Sequence, residues 1–283
     1  MSATNSEIAV KAGVKKAGQK AVASPLIEAL TRLGYGVRGL IYIVMGLLAV
    51  RVALGKGGAL ASPQGAIAAI GKQPGGMILL WVILIGVISY SVWGVVRAIW
   101  DPLNKGHDLK GLLTRLGYLG SAFVYAFLAY TTYGYITGVS RSNNGSQTQL
   151  LTSVMAMPLG RWAIGLTGLI VLAVGLYQIT LGFKAGFERQ FQVYALTPKQ
   201  VKLAKDMGRF GTVARGVVFA LVGLLIFLAA YNANPKQPVG MDAALKTLLH
   251  QPYGIWLVGI VAVGLVAFGA YSMLSAAWFR FRR

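Results

Sequence analysis

Six separate stretches of this 283-residue chain are apolar over about 20 residues each, the length at which an α-helix crosses the hydrocarbon core of a bilayer. They cover residues 35–54, 77–96, 117–138, 161–183, 213–231 and 253–277. Inside them no Asp, Glu, His or Lys occurs. The arginines Arg38, Arg51, Arg161 and Arg215 lie near their ends, where a long side chain can reach the headgroups. Lipid offers backbone amides no hydrogen-bond partner, so each stretch has to close its bonds within itself as a helix. Composition agrees: 56% of residues are hydrophobic and 12% are charged, against about 45–50% and about 25% in soluble domains. The sequence specifies an all-α, polytopic integral membrane protein with six transmembrane helices.

A formal net charge of +20 would point a soluble protein towards nucleic acid. Here the positive residues sit in the segments between apolar stretches and no nucleic-acid module accompanies them, so no nucleic-acid partner is expected. Their distribution is lopsided. Counted over alternate segments, one side carries 20 Lys and Arg. These belong to the N-terminal part, the segments holding Arg97, Lys105, Lys110 and Arg115 and then Lys184 to Arg215, and the C-terminal arginines. The other side carries seven: Arg51, Lys56, Lys72, Arg141, Arg161, Lys236 and Lys246. Positive residues stay on the cytoplasmic side, which predicts a multi-pass protein of the cytoplasmic (inner) membrane with both termini inside. Residues 1–31 hold no apolar core of a signal peptide and are spotted with Lys11, Lys15, Lys16 and Lys20. That pattern predicts a basic cytoplasmic tail drawn to anionic lipid. The chain has no cysteine, which excludes disulfides, thiolate metal sites and a cysteine nucleophile.

The spans are copies of one unit. Arg32-Leu-Gly-Tyr-Gly-Val-Arg-Gly39 recurs as Arg115-Leu-Gly-Tyr-Leu-Gly-Ser-Ala122 and as Arg209-Phe-Gly-Thr-Val-Ala-Arg-Gly216, each opening the first span of a pair. Gln73-Pro-Gly-Gly76, Met157-Pro-Leu-Gly160 and Gln251-Pro-Tyr-Gly254 each open the second span. The arginines are displaced by 83 and then 94 residues and the prolines by 84 and then 94, a register that chance would not keep. The repeats fall at 32–102, 115–184 and 209–283. Pro74, Pro158 and Pro252 suit first helical positions, and the apolar segments before them, 66–70, 150–155 and 244–249, suit short amphipathic helices resting on the outer interface. Two spans per unit make the repeats parallel, which predicts pseudo-threefold symmetry about the membrane normal. Small residues seven apart on the first spans, such as Gly39 and Gly46, suit close helix packing.

These openings and Pro-x-Gly starts resemble a bacterial membrane family, the domain of unknown function numbered 1206, over about residues 26–283. The resemblance implies the repeated two-helix architecture and carries no activity, catalytic residue or cofactor. In the second copy Ser121 stands where the others have Arg38 and Arg215.

Gly34-Tyr-Gly-Val-Arg-Gly39 matches the dinucleotide fingerprint by letter, but no strand precedes it and the other copies do not keep its glycines. Residues 65–72 resemble a phosphate loop with one residue too many and Gln73 where Ser or Thr should be. Only His107 and His250 exist, both in loops, so no histidine-based metal or haem site is expected within the bilayer. Asn144 opens a glycosylation pattern that matters only in a eukaryotic secretory pathway. The candidate contacts to a solute or a lipid phosphate are Arg32, Arg115 and Arg209 at the cytoplasmic mouth, Arg38 and Arg215 two turns further in, Ser121, and Gln178, the neutral group most costly to leave unpaired. These arginines either ring an axial conduit or snorkel outward to lipid phosphates.

No acid, base, nucleophile or metal constellation meets the requirements of an enzyme. The first expectation is a non-enzymatic accessory or scaffold component packing against other membrane proteins or copies of itself. The second is a channel or passive carrier for a small anionic or neutral solute. For the topology, single cysteines at Ser62, Ser142 and Asn234 are expected to react with an impermeant thiol reagent added outside intact cells, and one at Asn104 is not. The reverse pattern would invert the orientation.

Overall fold

The computed structural model describes residues 25–56, 60, 62–101, 106, 108–139, 151–184 and 197–278. Most of the basic tail, His107, the Asn144 pattern and the C-terminal arginines lie outside the described residues. The described elements are α1 (Pro25–Ala53), α2 (Pro63–Gly71), α3 (Gly76–Trp100), α4 (Leu109–Ile136), α5 (Gly160–Lys184), α6 (Pro198–Tyr231), α7 (Met241–Leu249) and α8 (Gly254–Trp278). All but α2 and α7 are long and apolar enough to cross a membrane, six in number, as a multi-pass membrane protein requires.

Several helices run beyond the apolar stretches that mark them. α6 begins at Pro198, well before residue 213, because Thr197 and Gln200 form a reciprocal capping box there. The turns that follow hold Lys199, Lys202 and Lys205, which suit a helix outside the hydrocarbon. Asp108 Oδ1 accepts from Gly111 N–H at the start of α4, and Ser62 Oγ from Gly65 N–H at the start of α2.

The repeated prolines lie just outside the spans rather than at their first helical position. In each repeat the span starts two residues later, at Gly76, Gly160 or Gly254. The amide of that glycine donates to the carbonyl of Gln73, Met157 or Gln251 at 2.8, 3.0 and 2.8 Å. Proline second, a positive φ third (Gly75 74°, Leu159 63°, Tyr253 61°) and the closing bond define a type II turn. The closing glycine is fixed by space: a Cβ there would stand 2.4 Å from Ile70 O, 1.7 Å from Val154 O and 2.0 Å from Leu249 O. The signature therefore encodes a tight turn that folds the short helix back on the span.

The short helices are docked into the bundle. Ala66 and Ile67 of α2, and Ala244 and Leu245 of α7, are fully buried. The helical turn at 151–155 in the second repeat is only half-covered.

Lipid supplies no hydrophobic force between helices, so association rests on close packing and hydrogen bonds. The first span of each repeat lies on the second span of another repeat: α1 on α8, α4 on α3, and α6 on α5. The contact points are equivalent. A Cβ on Gly39 would stand 2.7 Å from Gly269 O, and one on Gly216 2.8 Å from Gly175 O. At the third contact Ser91 Oγ donates to Ala122 O at 2.8 Å. Within repeats, α1 packs on α3 and α6 on α8, whereas α4 and α5 of the second repeat are not packed along one another. The pseudo-threefold closure expected from the repeats is not established by this packing, which leaves the ring open between α4 and α5. Ile41, Met45, Ile83, Val218, Val258 and Leu265 fill the interior and are fully buried.

Leu159 holds a left-handed conformation that its Cβ disfavours by about 1–2 kcal/mol, and its side chain is exposed. Leu159→Gly is expected to stabilise the protein by about 1 kcal/mol and Gly75→Leu to destabilise it similarly. Thermal unfolding in one detergent checks both; a lower midpoint for Leu159→Gly would refute the assignment.

Candidate functional site

The sequence-expected arginines divide into two groups. Arg115 and Arg209 hold the helix on which their own span lies. Arg115 donates from Nε to Ala98 O at 2.7 Å and from Nη2 to Ile99 O at 3.0 Å. Arg209 donates from Nε to Gly182 O at 3.4 Å and from Nη2 to Phe183 O at 2.9 Å, the equivalent atoms one repeat later. These carbonyls belong to last helical turns, which lack partners within the helix and carry its negative dipole end. At the opposite end Arg161 returns the clamp, donating to Ala230 O at 2.6 Å and to Tyr231 O. Arg32 pairs with Glu28 at 2.7 Å. Arg115 and Arg209 therefore neither ring an axial mouth nor reach out to lipid.

Arg38 and Arg215 turn inward, and a third guanidinium joins them. Arg97, counted in the sequence only as a flanking positive residue, is 6% exposed near the end of α3. Its Cζ stands 4.4 Å from the centroid of Tyr118, 5.5 Å from Tyr90 and 5.7 Å from Trp93. Arg38 Cζ lies 5.2 Å from Tyr90 and 4.6 Å from Phe268. Arg215 Cζ lies 5.0 Å from Phe268, 4.6 Å from Phe219 and 5.6 Å from Tyr42. Tyr90 and Phe268 thus each serve two guanidiniums and link all three. Arg38 Nη1 also donates to Tyr90 Oη. Tyr90 is held in turn by Tyr125 at 4.3 Å and edge-on by Tyr35 at 5.4 Å, and Phe268 by Tyr42 at 4.8 Å.

The repeat explains the arrangement. Positions 38, 121 and 215 are equivalent, and the second repeat offers Ser121 rather than arginine. Arg97 comes from the neighbouring helix and places its charge over Tyr118, one turn from that serine. It is the only Asp, Glu, His, Lys or Arg of α3 and follows directly on the apolar stretch that ends at Val96, the one signal that could have singled it out. Ser121 is half-buried on α4. Gln178 is half-buried on α5, at the position of Gly94 and Ser272, and no hydrogen bond or ring contact joins it to the three arginines.

Among the described residues no carboxylate lies within ion-pair distance of Arg38, Arg97 or Arg215. Nε of each, and Nη2 of Arg97, are buried without a hydrogen-bond partner. Cation–π contacts contribute about 0.5–2 kcal/mol each. Burying an ion costs several kcal/mol, and two charges roughly 10 Å apart repel by about 1–2 kcal/mol at an effective dielectric of about 20. The rings reduce this imbalance without closing it. Among the described residues the cluster has no acceptor with negative charge.

A family model described as Domain of Unknown Function (DUF1206) matches residues 33–101, 116–185 and 210–279, once in each repeat. The chain belongs to the DUF1206 family. A relative within reach of the whole architecture is the uncharacterized protein YxxB of Bacillus subtilis (strain 168), 33% identical over 254 residues, which are 90% of this chain and 92% of the relative. No solved structure matches the chain. Each family match begins one residue after a repeat's opening arginine, and the three together take in every arginine of the cluster.

The clamps are testable by stability. Arg209→Ala and Arg161→Ala are each expected to lower the stability of the α5–α6 pair by about 2 kcal/mol, since hydrogen bonds from a charged donor contribute about 1.5–3 kcal/mol. Lysine at either position is expected to rescue poorly because it lacks the fork. Full rescue by Lys in thermal unfolding would show that the charge alone suffices.

Proposed function

We propose that this DUF1206 protein is a non-enzymatic component of the cytoplasmic membrane that binds one oxyanion-bearing ligand within its helix bundle, on Arg38, Arg97 and Arg215. The observation that carries this is the cluster of three guanidiniums over shared aromatic rings, with buried N–H groups unpaired and, among the described residues, no carboxylate within ion-pair distance. An oxyanion would accept those N–H bonds and neutralise part of the charge, and charge-assisted bonds are the strong kind. Arg38 and Arg215 keep part of their surface exposed, which leaves the cluster reachable.

The same arginines favour an anion over a neutral solute. Permeation along an axis has less support, because Ile41, Met45, Ile83, Val258 and Leu265 pack the interior beyond the cluster. A binding role within an accessory or scaffold protein accommodates both facts. The proposal keeps the cluster and the basic end cytoplasmic, on the distribution of Lys and Arg.

Anything that binds the folded state alone raises its stability by mass action. Phosphate and sulfate are expected to raise the unfolding midpoint of the purified protein above that in chloride of equal ionic strength. Arg97→Gln and Arg215→Gln are expected to abolish the difference. A shift that persists undiminished in both variants would refute the site.

A further inference from the structure

Comparing the three repeats position by position locates a missing wall beside the arginine cluster. In the first repeat Val37 and Ile41 of α1 are buried against the repeat's second span, which presents Tyr90 and Trp93, themselves buried. The third repeat buries Ala214, Val218, Phe268 and Tyr271 in the same way. In the second repeat the equivalent residues are Gly120 and Val124 on α4 and Val174 and Tyr177 on α5. Val124 is 60%, Val174 42% and Tyr177 55% exposed, and Gly120 is exposed as well. Gly34 and Gly211 would bring a Cβ to 3.0 Å and 2.4 Å from the partner span, whereas no described atom lies within 4 Å of such a Cβ on Gly117 or Gly120. Among the described residues the open contact between α4 and α5 therefore leaves a slot that is apolar along its walls.

Its position gives it chemistry. Tyr90 and Phe268 are the two rings shared by the guanidiniums, and Val174 stands at the third equivalent position. Arg97 lies over Tyr118, which neighbours Gly117 and precedes Gly120 and Ser121 by less than one helical turn. An apolar slot facing the bilayer thus ends near three positive charges with unpaired donors. A molecule that matches both parts has an acyl chain and a phosphate.

We infer that the slot between α4 and α5 admits an anionic phospholipid sideways from the bilayer, its acyl chain against Gly117, Gly120, Val124 and Val174 and its phosphodiester on the arginine cluster. The inference rests on the anion-binding proposal and names the source of the anion. The lipid replaces α5 as the packing partner of α4 in this repeat and supplies the counter-charge that the described residues do not. A second copy of the chain would fill the apolar slot, but its six apolar stretches hold no Asp or Glu to set against the arginines.

The test titrates the full-length protein in uncharged detergent with short-chain phosphatidylglycerol, short-chain phosphatidylcholine and inorganic phosphate. Gly120→Trp and Val174→Trp fill the slot from opposite walls at exposed positions, and gel filtration reports whether each remains folded. Phosphatidylglycerol is expected to bind more tightly than phosphatidylcholine. Both tryptophan variants are expected to weaken it roughly tenfold or more while leaving phosphate binding unchanged, and Arg97→Gln to weaken lipid and phosphate alike. Undiminished phosphatidylglycerol binding in both tryptophan variants, or equal binding of the two lipids, overturns the lateral slot; the anion site itself stands if Arg97→Gln still weakens phosphate. If Arg97→Gln changes neither ligand, both proposals fall. A dimer that Gly120→Trp dissociates, with no lipid bound to the wild type, also overturns the slot by assigning that face to a second copy.

Discussion

Close approach between helix backbones governs this bundle, because a bilayer gives apolar side chains no reason to prefer one another to lipid. The three contacts between repeats meet at equivalent small residues, Gly39 with Gly269, Gly175 with Gly216, and Ser91 with Ala122. Larger residues at Gly175 and Gly216 would push α5 and α6 apart, and with them the carbonyls that Arg209 reaches. The same contacts fix helix rotation. Position 38 or 215 lies one residue before the contact glycine on its span, so the close approach sets which way its guanidinium faces.

Two kinds of arginine follow from this geometry. Where a span begins, the neighbouring helix presents unpaired carbonyls, and arginine satisfies them at the polar margin. Two turns further in the arginines lie over aromatic faces, and Arg38 also donates to Tyr90 Oη. Arginine tolerates such a place better than lysine because its flat, weakly hydrated cation stacks on rings. Rings attract a cation but do not neutralise it. That difference separates the clamps, which complete the fold, from the cluster, whose charge no described carboxylate offsets.

Much of the fold was legible in the sequence because bilayer thickness and repeat register leave direct marks. The six spans, the three units and the small-residue contacts all have such marks. Pro74, Pro158 and Pro252 marked the right places for a different reason, since the turn they open requires the glycine two residues later. The site was less legible. Arg97 adjoins a stretch whose edge hydropathy sets at Val96, and a count of flanking charge does not separate a buried guanidinium from a solvated one. The open contact was hidden too, because Gly117, Val124 and Val174 are as apolar as their buried counterparts. Only the absence of a packed partner distinguishes them.

Ser121 and the open contact lie in the same repeat, and the two departures support each other. Arginine at 121 would have no ring from the second span of its own repeat, since Val174 takes the position of Tyr90 and Phe268. Drawing the third charge from α3 avoids this: Arg97 lies among Tyr90, Trp93 and Tyr118, on the walled side of the gap. The cluster keeps three charges and shifts away from a threefold arrangement towards the corner of α3 and α4, one helix from the opening. A symmetric ring would suit an ion moving along an axis. An off-axis cluster beside a lateral opening suits a ligand that stays partly in the membrane.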